Sequence, residues 1–287
     1  MLTKQEFHEK IASGIRIMDG ATGSNLRLAG MPKGCSTELW VLEHPQVLQT
    51  LQGAYAQAGA QILYAPTFQA QPIALKALGL DKDTEAINAK LVALTRQAAP
   101  GCLVAGDITT LATFCDSWDP SCFDLLVENY RRQIRGLIDG GVDILGAETL
   151  LYPQEAEAIL TAAELEGAGA TMYSFTMQSD GALYSGMDAG PILKDLAKAG
   201  AAAVGFNCVA ADQMTAGLVS KLRRHVSIPL LCKPNAGMPV IKEDGLAHYD
   251  MSPQDFAAVV QDCLAMGASL VGGCCGTTPA HIAALCR

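Results

Sequence analysis

The chain has 287 residues, of which 50% are hydrophobic and 17% are charged, so it can bury a large core as one α/β domain or two small ones. Its net charge of −9 argues against nucleic-acid binding, which needs clustered Lys and Arg, and favours a small or neutral partner. The polar N-terminus is unlike a signal peptide and no run of about 18 apolar residues could span a membrane, so we expect a cytoplasmic protein.

Eight short apolar runs recur along the chain, and each precedes turn residues and a segment of helical periodicity. Their starts lie roughly 36 residues apart on average, the length of one strand and one helix with their loops. The runs predict strands at residues 15–18, 62–64, 103–105, 144–146, 172–175, 203–205, 230–232 and 270–272. Eight such units predict an α/β fold, a (β/α)8 TIM barrel.

The segments between the runs carry apolar residues at helical spacing. They predict helices at residues 43–58, 83–98, 123–139, 154–165, 190–199, 212–224 and 252–266. Ser252-Pro253 and Thr278-Pro279 are typical helix starts, and glycines such as Gly200 and Gly267 follow helix ends. Because no linker or low-complexity stretch interrupts this pattern, we expect residues 1–287 to form one domain.

In a TIM barrel the reactive side chains lie at the carboxyl ends of the strands. Polar or sulfur-bearing residues follow seven of the eight predicted strands: Asp19, Thr67, Asp107, Glu148, Cys208, Lys233 with Asn235, and the pair Cys274 and Cys275. The barrel brings all of these strand ends to one mouth, whatever their separation in the chain.

The adjacent Cys274 and Cys275 lie among glycines, which let the backbone bend so that both sulfurs face one ion. Cys208, also at a strand end, is the natural third ligand. These residues predict a zinc site with three thiolate ligands. The fourth position stays open, as in a catalytic rather than a structural site.

Three thiolates leave bound Zn²⁺ with a net charge of −1, so a substrate thiol that binds there loses its proton and stays electron-rich. Free thiols have a pKa near 8.5, so only a small fraction is the nucleophilic thiolate at pH 7. Metal binding removes this limitation because it deprotonates the thiol. Alkyl transfer to sulfur is the reaction that gains most, by direct displacement and without a protein general acid or base.

The motifs together resemble the homocysteine S-methyltransferase family over essentially the whole chain. They are Asp19-Gly20-Ala21-Thr22-Gly23, Glu148-Thr149, Gly205-Phe206-Asn207-Cys208, Pro234-Asn235-Ala236-Gly237 and the stretch from Gly272 to Thr278. The resemblance implies that Cys208, Cys274 and Cys275 bind zinc and that the sulfur of homocysteine takes the fourth position. It also implies that Asp19 and Glu148 hold the ammonium group of homocysteine.

The sequence indicates the methyl donor less directly than it indicates the thiol acceptor. Gln69 stands where betaine-using relatives carry a tyrosine, which argues against betaine, because a quaternary ammonium binds on aromatic faces. The Pro-Asn-Ala-Gly segment is closer to the methionine synthase module. This similarity implies methylcobalamin on a separate corrinoid protein as the donor, with a small sulfonium such as S-methylmethionine as the other possibility.

Other interpretations remain at this stage. Asn235 and Thr67 are expected substrate contacts, although Asn235 could instead stabilise its turn and Thr67 could merely line the mouth. The cysteines could form a zinc-thiolate redox sensor or a zinc store without transferase activity. A TIM-barrel aldolase would use Lys233 to form a Schiff base.

Overall fold

A parallel sheet of seven strands forms the centre of the computed structural model, which describes residues 1–14, 16–212, 214–243 and 245–286. The strand order is β1-β2-β3-β4-β5-β6-β9, and two further strands form a separate antiparallel hairpin, β7-β8. The strands are β1 Ile62–Ala65, β2 Leu103–Thr109, β3 Ile144–Leu150, β4 Thr171–Phe175, β5 Ala203–Ala210, β6 Leu230–Asn235, β7 Val240–Ile241, β8 Ala247–His248 and β9 Leu270–Val271.

The segment at residues 16–19 joins the two edges of this sheet. Ile17 forms a parallel bridge with Val271 in β9, and Met18 forms one with Ile62 in β1. The N–H of Met18 donates to the carbonyl of Val271 at 2.7 Å, and the next N–H along the chain donates to the carbonyl of Ile62 at 3.0 Å. The segment therefore takes the place of the eighth barrel strand, and the predicted TIM-barrel fold is confirmed.

The other seven predicted strands correspond to β1 to β6 and β9. In the first predicted strand, Ile15 lies outside the described residues. The hairpin β7-β8 has no counterpart among the predicted elements, because its strands are only two residues long.

Helices surround the sheet. They are α1 Lys4–Ala12, α2 Gly23–Leu28, α3 Thr37–Glu43, α4 Pro45–Gln57, α5 Pro72–Lys76, α6 Thr84–Ala98, α7 Phe123–Asp139, α8 Pro153–Leu165, α9 Ala189–Lys198, α10 Thr215–Arg223, α11 Pro253–Ala265 and α12 Pro279–Leu285, with short 3₁₀ turns at Asp81–Asp83 and Pro120–Cys122. The seven predicted helices are α4 and α6 to α11, whereas α1, α2, α3 and α5 are additional.

The helix boundaries follow local hydrogen bonding. The hydroxyl of Ser252 accepts a hydrogen bond from the N–H of Asp255 at 3.1 Å and so caps α11. Helix α10 begins three residues later than predicted, because the side chain of Asp212 accepts from the N–H of Met214 at 2.7 Å and makes a turn. Gln213, inside the predicted helix, lies outside the described residues. Gly200 and Gly267 adopt the positive φ angles expected after helix ends.

Two apolar layers pack against the sheet. The inner layer fills the barrel with one residue or two from most strands, and it includes Met18, Ile62, Tyr64, Ala105, Ile144, Met172, Ala203, Leu231 and Leu270. The outer layer lies between the sheet and the surrounding helices. Because the inner layer leaves the barrel without a channel, polar chemistry is confined to the ends of the strands.

Helix α1 covers the amino-terminal end of the barrel. Phe7 is fully buried in the inner layer. The N–H of Leu2 donates to the carbonyl of Asp143 at 2.8 Å, and the ring of His8 bonds the carbonyl of Ala202 at 2.7 Å. Both carbonyls immediately precede barrel strands, so the opposite, carboxyl-terminal end is the open one.

None of the helices in the described part of the chain is both long and apolar enough to cross a membrane.

Candidate active site

A cavity of about 280 Å³ opens at the carboxyl ends of the strands. Its walls come from the segment after Met18, from α3, from β1 and the loop after it, from the carboxyl-terminal parts of β2, β3, β5 and β6, and from the turn after β9. The lining residues are Asp19 to Ser24, Thr37, Glu38, Tyr64, Pro66, Phe68, Gln69, Asp107, Glu148, Thr149, Cys208, Lys233 and Gly273 to Cys275. Most of the residues predicted at strand ends therefore share one cavity.

Three cysteines meet on one side of this cavity. The sulfur atoms of Cys208, Cys274 and Cys275 all lie within 4.8 Å of one another, and each residue is partly exposed. We call these residues the cysteine triad. Tetrahedral Zn²⁺ at about 2.3 Å from each sulfur spaces the sulfurs about 3.8 Å apart, so a small adjustment brings the triad to metal-binding geometry. Within the described ranges it is the only cluster of three or more His, Cys, Asp or Glu residues close enough to hold a metal ion.

Two irregularities in the sheet occur where Thr149 and Cys208 line the cavity. The pairing register shifts between Ala147 and Leu150, and again between Asn207 and Ala210. Within these bulges Thr149 has a φ of 59° and Cys208 a φ of 57°. Left-handed backbone costs about 1–3 kcal/mol at residues other than glycine, and such strain is concentrated at functional sites.

The turn after β9 is fixed by hydrogen bonds. The N–H of Cys274 donates to the carbonyl of Pro234 at 2.8 Å, and the carbonyl of Cys275 accepts from the N–H of Ala236 at 2.9 Å. The hydroxyl of Thr277 donates to the carbonyl of Cys274 at 2.7 Å. Both cysteines are therefore held against the end of β6 before any ligand binds.

The three thiols share their protons. Hydrogen bonds from Cys208 and then from Cys274 lower the pKa of Cys275 to about 3. The bonds that Cys208 donates raise its own pKa far above the usual range. For Cys274 the bond from Cys208 lowers the pKa, but its bond to Cys275 and burial outweigh this and raise it to about 11. A divalent cation among the three sulfurs would take over the role of these shared protons.

Asn207 joins the two strained residues. Its amide oxygen accepts from the N–H of Thr149 at 2.8 Å and from the hydroxyl of Ser174 at 2.9 Å. Its amide nitrogen donates to the hydroxyl oxygen of Thr149 at 2.7 Å and lies 3.7 Å from the sulfur of Cys274. The sequence motifs assigned Asn207 no role, although a polar residue inside an apolar strand was the available signal.

Tyr249, from the loop after β8, touches the triad from outside. Its hydroxyl forms a hydrogen bond with Cys275, which contributes to the low pKa of that thiol. Its ring lies so close to Gly276 that any side chain there would collide with it. No sequence motif pointed to this residue, because it belongs to a loop and not to a strand end.

A second group of residues at the cavity carries charge. We call Asp19, Asp107, Glu148 and Lys233 the charge cluster, and each of the four is less than a tenth exposed. Lys233 donates to a carboxylate oxygen of Glu148 at 2.8 Å and lies 3.9 Å from a carboxylate oxygen of Asp19. Its ammonium nitrogen is also 3.6 Å from the centre of the Tyr64 ring.

Burial controls the titration of these groups. It raises the pKa of Asp19 to about 7, against the opposing effects of Lys233 and of the Tyr64 N–H, which donates to Asp19 at 2.8 Å. Burial raises the pKa of Asp107 well above its usual value, and Glu148 adds to the effect. Burial also raises the pKa of Glu148, while Lys233 opposes the shift.

Lys233 remains an ammonium group in this setting. Burial lowers its pKa, but Glu148, Tyr64 and Asp19 outweigh burial and raise it well above the usual value. A Schiff base requires a neutral amine, so the paired Lys233 is poorly suited to the aldolase chemistry considered above.

Thr67 and Asn235 do not line the cavity. The Thr67 hydroxyl donates to the carbonyl of Asp107 at 2.9 Å, and the same oxygen accepts from the Asp107 N–H at 3.0 Å. Asn235 is buried at the end of β6 with its side-chain oxygen unpaired. The structure therefore brings five of the predicted site residues to the cavity surface and places these two behind it: Asp19, Glu148, Cys208, Cys274 and Cys275 are exposed to the cavity.

Comparisons with known proteins agree with these features. The model of the family described as homocysteine S-methyltransferase matches residues 16–287. The protein named homocysteine S-methyltransferase from Escherichia coli is 30% identical over 303 residues, which cover 94% of each chain. Methionine synthase from Mycobacterium tuberculosis is 28% identical over 95% of this chain, but the match covers only 24% of the methionine synthase. The chain thus spans about a quarter of that relative.

Solved structures show the same similarity. The crystal structure of the homocysteine methyltransferase MmuM from Escherichia coli, in its metallated form, superposes with a TM-score of 0.82 at 28% identity and covers 97% of this chain and 98% of its own. The carboxyl transferase domain of Rhizobium etli pyruvate carboxylase (Y628A) matches with a TM-score of 0.55 at 16% identity, which shows a shared fold alone.

Proposed function

The chain belongs to the homocysteine S-methyltransferase family, as its motifs predict, and we propose that it methylates the thiol of homocysteine to give methionine at a zinc ion held by Cys208, Cys274 and Cys275. The observation that carries this proposal is the cysteine triad, whose sulfurs lie within 4.8 Å of one another at a cavity large enough for a small amino acid.

The donor set fits zinc. Three thiolates are soft ligands, and the triad faces the cavity, so a tetrahedral ion would keep one position for a substrate sulfur. When bound there, Zn²⁺ would lower the pKa of the substrate thiol and leave the sulfur nucleophilic at neutral pH. The metallated form of the Escherichia coli relative supports a metal at this position.

The residues of the chain orient the substrate. Asp19 and Glu148 line the same cavity as the triad, where carboxylates can attract the ammonium group of an amino acid whose sulfur faces the cysteines. Thr67 and Asn235 support the site from behind, Thr67 through its two hydrogen bonds to the backbone of Asp107.

The chemistry is a single displacement. The substrate sulfur forms a bond to the methyl carbon while the bond between that carbon and the donor breaks, and the electron pair of the broken bond leaves with the donor. The thiol proton has already passed to solvent. No protein group becomes methylated and none serves as a general acid or base, so positioning provides the catalytic advantage of this chain's own residues.

We propose that the methyl donor is methylcobalamin carried by a separate corrinoid protein or a small sulfonium such as S-methylmethionine. The similarity to part of a methionine synthase supports the first alternative, and the second is a small molecule that needs no separate corrinoid protein. We further propose that residues 1–287 act as one domain, in the cytoplasm, where thiols remain reduced.

The decisive experiment measures metal content and turnover on one purified, reduced sample. Homocysteine is offered with methylcobalamin, S-methylmethionine and betaine in parallel, and methionine is detected. Zinc near one ion per chain, with methionine from one of the first two donors, supports the proposal. Zinc without methionine from any donor keeps the metal site but points to a missing corrinoid partner protein or a different acceptor thiol, and absence of zinc from fresh protein contradicts the metal assignment.

A further inference from the structure

The cavity contains a single cationic side chain among the described residues that line it. Asp19, Glu38, Asp107 and Glu148 carry carboxylates, and only Lys233 carries a positive charge. An amino acid such as homocysteine brings a carboxylate of its own into this space. Because like charges repel strongly where water is largely excluded, the ligand's carboxylate needs a positive partner. Lys233 is the side chain of the cavity wall that can provide it.

Lys233 has a hydrogen-bond donor to spare. An ammonium group carries three N–H donors. One of them donates to a carboxylate oxygen of Glu148 at 2.8 Å, and the centre of the Tyr64 ring lies 3.6 Å from the nitrogen on another side. The nearest oxygen of Asp19 is 3.9 Å away, which is beyond hydrogen-bond distance. One donor therefore remains for an acceptor that a ligand supplies.

The position of this ammonium group is fixed before a ligand arrives. Lys233 is only 3% exposed, and its charged end rests on the face of the Tyr64 ring. That ring in turn packs against Gly146 in β3, where a Cβ atom would collide with it. The glycine thus makes room for the ring that supports the cation. A preorganised cation loses little conformational entropy when it binds an anion.

Glu148 can accept the other charge of an amino acid. Lys233 bonds one of its carboxylate oxygens, and no described residue donates to the second oxygen. The ammonium group and the carboxylate of an amino acid are attached to one carbon, so they are spaced much like the charges of Lys233 and Glu148. A zwitterion can therefore place its ammonium group at Glu148 and its carboxylate at Lys233, so that opposite charges alternate.

We infer that Lys233 binds the carboxylate of the substrate, and that its pair with Glu148 receives the zwitterionic end of the amino acid. This inference rests on the proposed function, in which Asp19 and Glu148 attract the ammonium group. It makes Lys233 a specificity-determining residue. The site therefore selects thiols that carry both an ammonium group and a carboxylate over aminothiols that lack the carboxylate.

The test compares two thiols that differ only in the carboxylate. Homocysteine and 3-aminopropane-1-thiol share the thiol, the carbon chain and the ammonium group, and their Kd values are measured by calorimetry on zinc-loaded protein. We expect the wild type to bind homocysteine at least about tenfold more tightly, equivalent to about 1.4 kcal/mol. Equal Kd values in the wild type would contradict the inference without recourse to any variant.

Variants of Lys233 show whether this residue is the source of the preference. Lys233→Met should reduce the preference for homocysteine about tenfold, whereas the freed Glu148 should hold the aminothiol at least as tightly as before. Lys233→Arg keeps the charge and should retain most of the preference. Lys198→Met makes the same change at an exposed lysine outside the cavity and should leave both Kd values unchanged. Zinc content and the unfolding temperature verify the fold of each variant.

The outcomes separate the two proposals. If Lys233→Met keeps the wild-type preference, or weakens both ligands equally, the carboxylate is held elsewhere, so the inference is wrong and the proposed function stands. If the zinc-loaded wild type binds neither thiol, the proposed function fails and the inference fails with it.

Discussion

The two groups of residues at the cavity, the cysteine triad and the charge cluster, are constructed differently. The cysteine triad is partly exposed, its thiols are hydrogen-bonded chiefly to one another, and Cys208 lies on strained backbone. The charge cluster is almost fully buried, its backbone is regular strand or loop, and its one ammonium group serves more than one carboxylate. The triad contains no cationic side chain, whereas the cluster contains the Lys233 ammonium.

Because of this difference, we expect the triad to matter for the chemistry and the charge cluster to matter for the stability of the fold. Loss of a thiol should abolish metal binding while the fold survives, because replacement of one partly exposed sulfur by oxygen leaves no unpaired charge inside the barrel. Loss of the buried ammonium should weaken the fold itself, because it leaves uncompensated charge in the barrel. Each prediction below tests one of these two groups of residues against the other.

The largest effect is expected for Cys208→Ser. A serine hydroxyl is a poor zinc ligand, so the metal content should fall to near none and the methylation rate should fall at least about 1000-fold. Metal analysis and a methionine assay on the same sample measure both losses. Cys35→Ser, the same change at a cysteine outside the triad, should keep metal and activity. Retained zinc and turnover in Cys208→Ser would contradict the assignment.

Lys233→Met should act on stability. Among the described residues Lys233 is the only cation that forms ion pairs with Glu148 and Asp19, and we expect its removal to lower the free energy of unfolding at pH 8 by about 3 kcal/mol. Burial raises the carboxylate pKa values in the folded state, so the folded protein takes up more protons than the unfolded chain between about pH 4 and their folded pKa values. The free energy of unfolding of Lys233→Met therefore falls as the pH rises through this window. At pH 5 much of its difference from the wild type should disappear.

Urea unfolding at the two pH values measures this effect. Lys198→Met, which breaks an exposed ion pair with Asp195, is the matched control and should change stability by less than about 1 kcal/mol. An equal loss for Lys233→Met at pH 5 and pH 8 would show that packing, and not charge, is responsible.

Asn207→Ala should weaken the metal site without removing a ligand. The substitution deletes the bonds to Thr149 and the contact with the Cys274 sulfur, so the backbone of the bulge can relax. Loss of such outer contacts typically lowers metal affinity about 10- to 100-fold. Competition with a chromophoric chelator gives the affinity, and Ser174→Ala, which removes only one bond to Asn207, should have a smaller effect.

Asp19 should make homocysteine binding depend on pH. Its pKa of about 7 means that the carboxyl is neutral in the folded protein below that pH and charged above it. Affinity for the substrate ammonium should therefore increase as the pH rises towards 7 and then level off, by up to about tenfold per pH unit at the steepest part. In Asp19→Asn the ratio of homocysteine affinity to that of 4-mercaptobutanoate, which lacks the ammonium group, should depend less steeply on pH, and an unchanged dependence would exclude Asp19 as its source.

The smallest effect is expected for Tyr249→Phe. This change keeps the ring against Gly276 and removes only the hydroxyl that bonds Cys275. Loss of about 1 kcal/mol for one hydrogen bond predicts about fivefold weaker metal binding with the fold unchanged. Tyr184→Phe, at an exposed tyrosine, provides the control for the chelator measurement. Equal metal affinities in the wild type, Tyr249→Phe and Tyr184→Phe would show that the Tyr249 hydroxyl does not contribute to the metal site.

The sequence predicts the barrel and the triad for the same physical reason. Apolar runs at regular intervals define the strands, and Cys274 and Cys275 are neighbours in the chain, so local patterns suffice. Strand-end position also brings Asp19 and Glu148 to the cavity, as the structure shows.

What the sequence could not predict depends on distant partners. The left-handed backbone at Thr149 and Cys208 opposes the local preference of both residue types and is maintained by Asn207 across the sheet. The pairing of Lys233 with Glu148 joins residues on β6 and β3, which are not neighbouring strands. Helix α1 also escaped prediction, because its burial consists mainly of one residue, Phe7.

The covering of the amino-terminal end by α1 has a kinetic consequence. With that end closed and the barrel interior filled by side chains, acceptor and donor share a single entrance. A thiol bound at the floor of the cavity must arrive before the methyl donor, and methionine can depart only after the spent donor has left. Steady-state turnover should therefore be sequential and ordered, with an unreactive donor analogue competing against the donor and inhibiting uncompetitively against homocysteine.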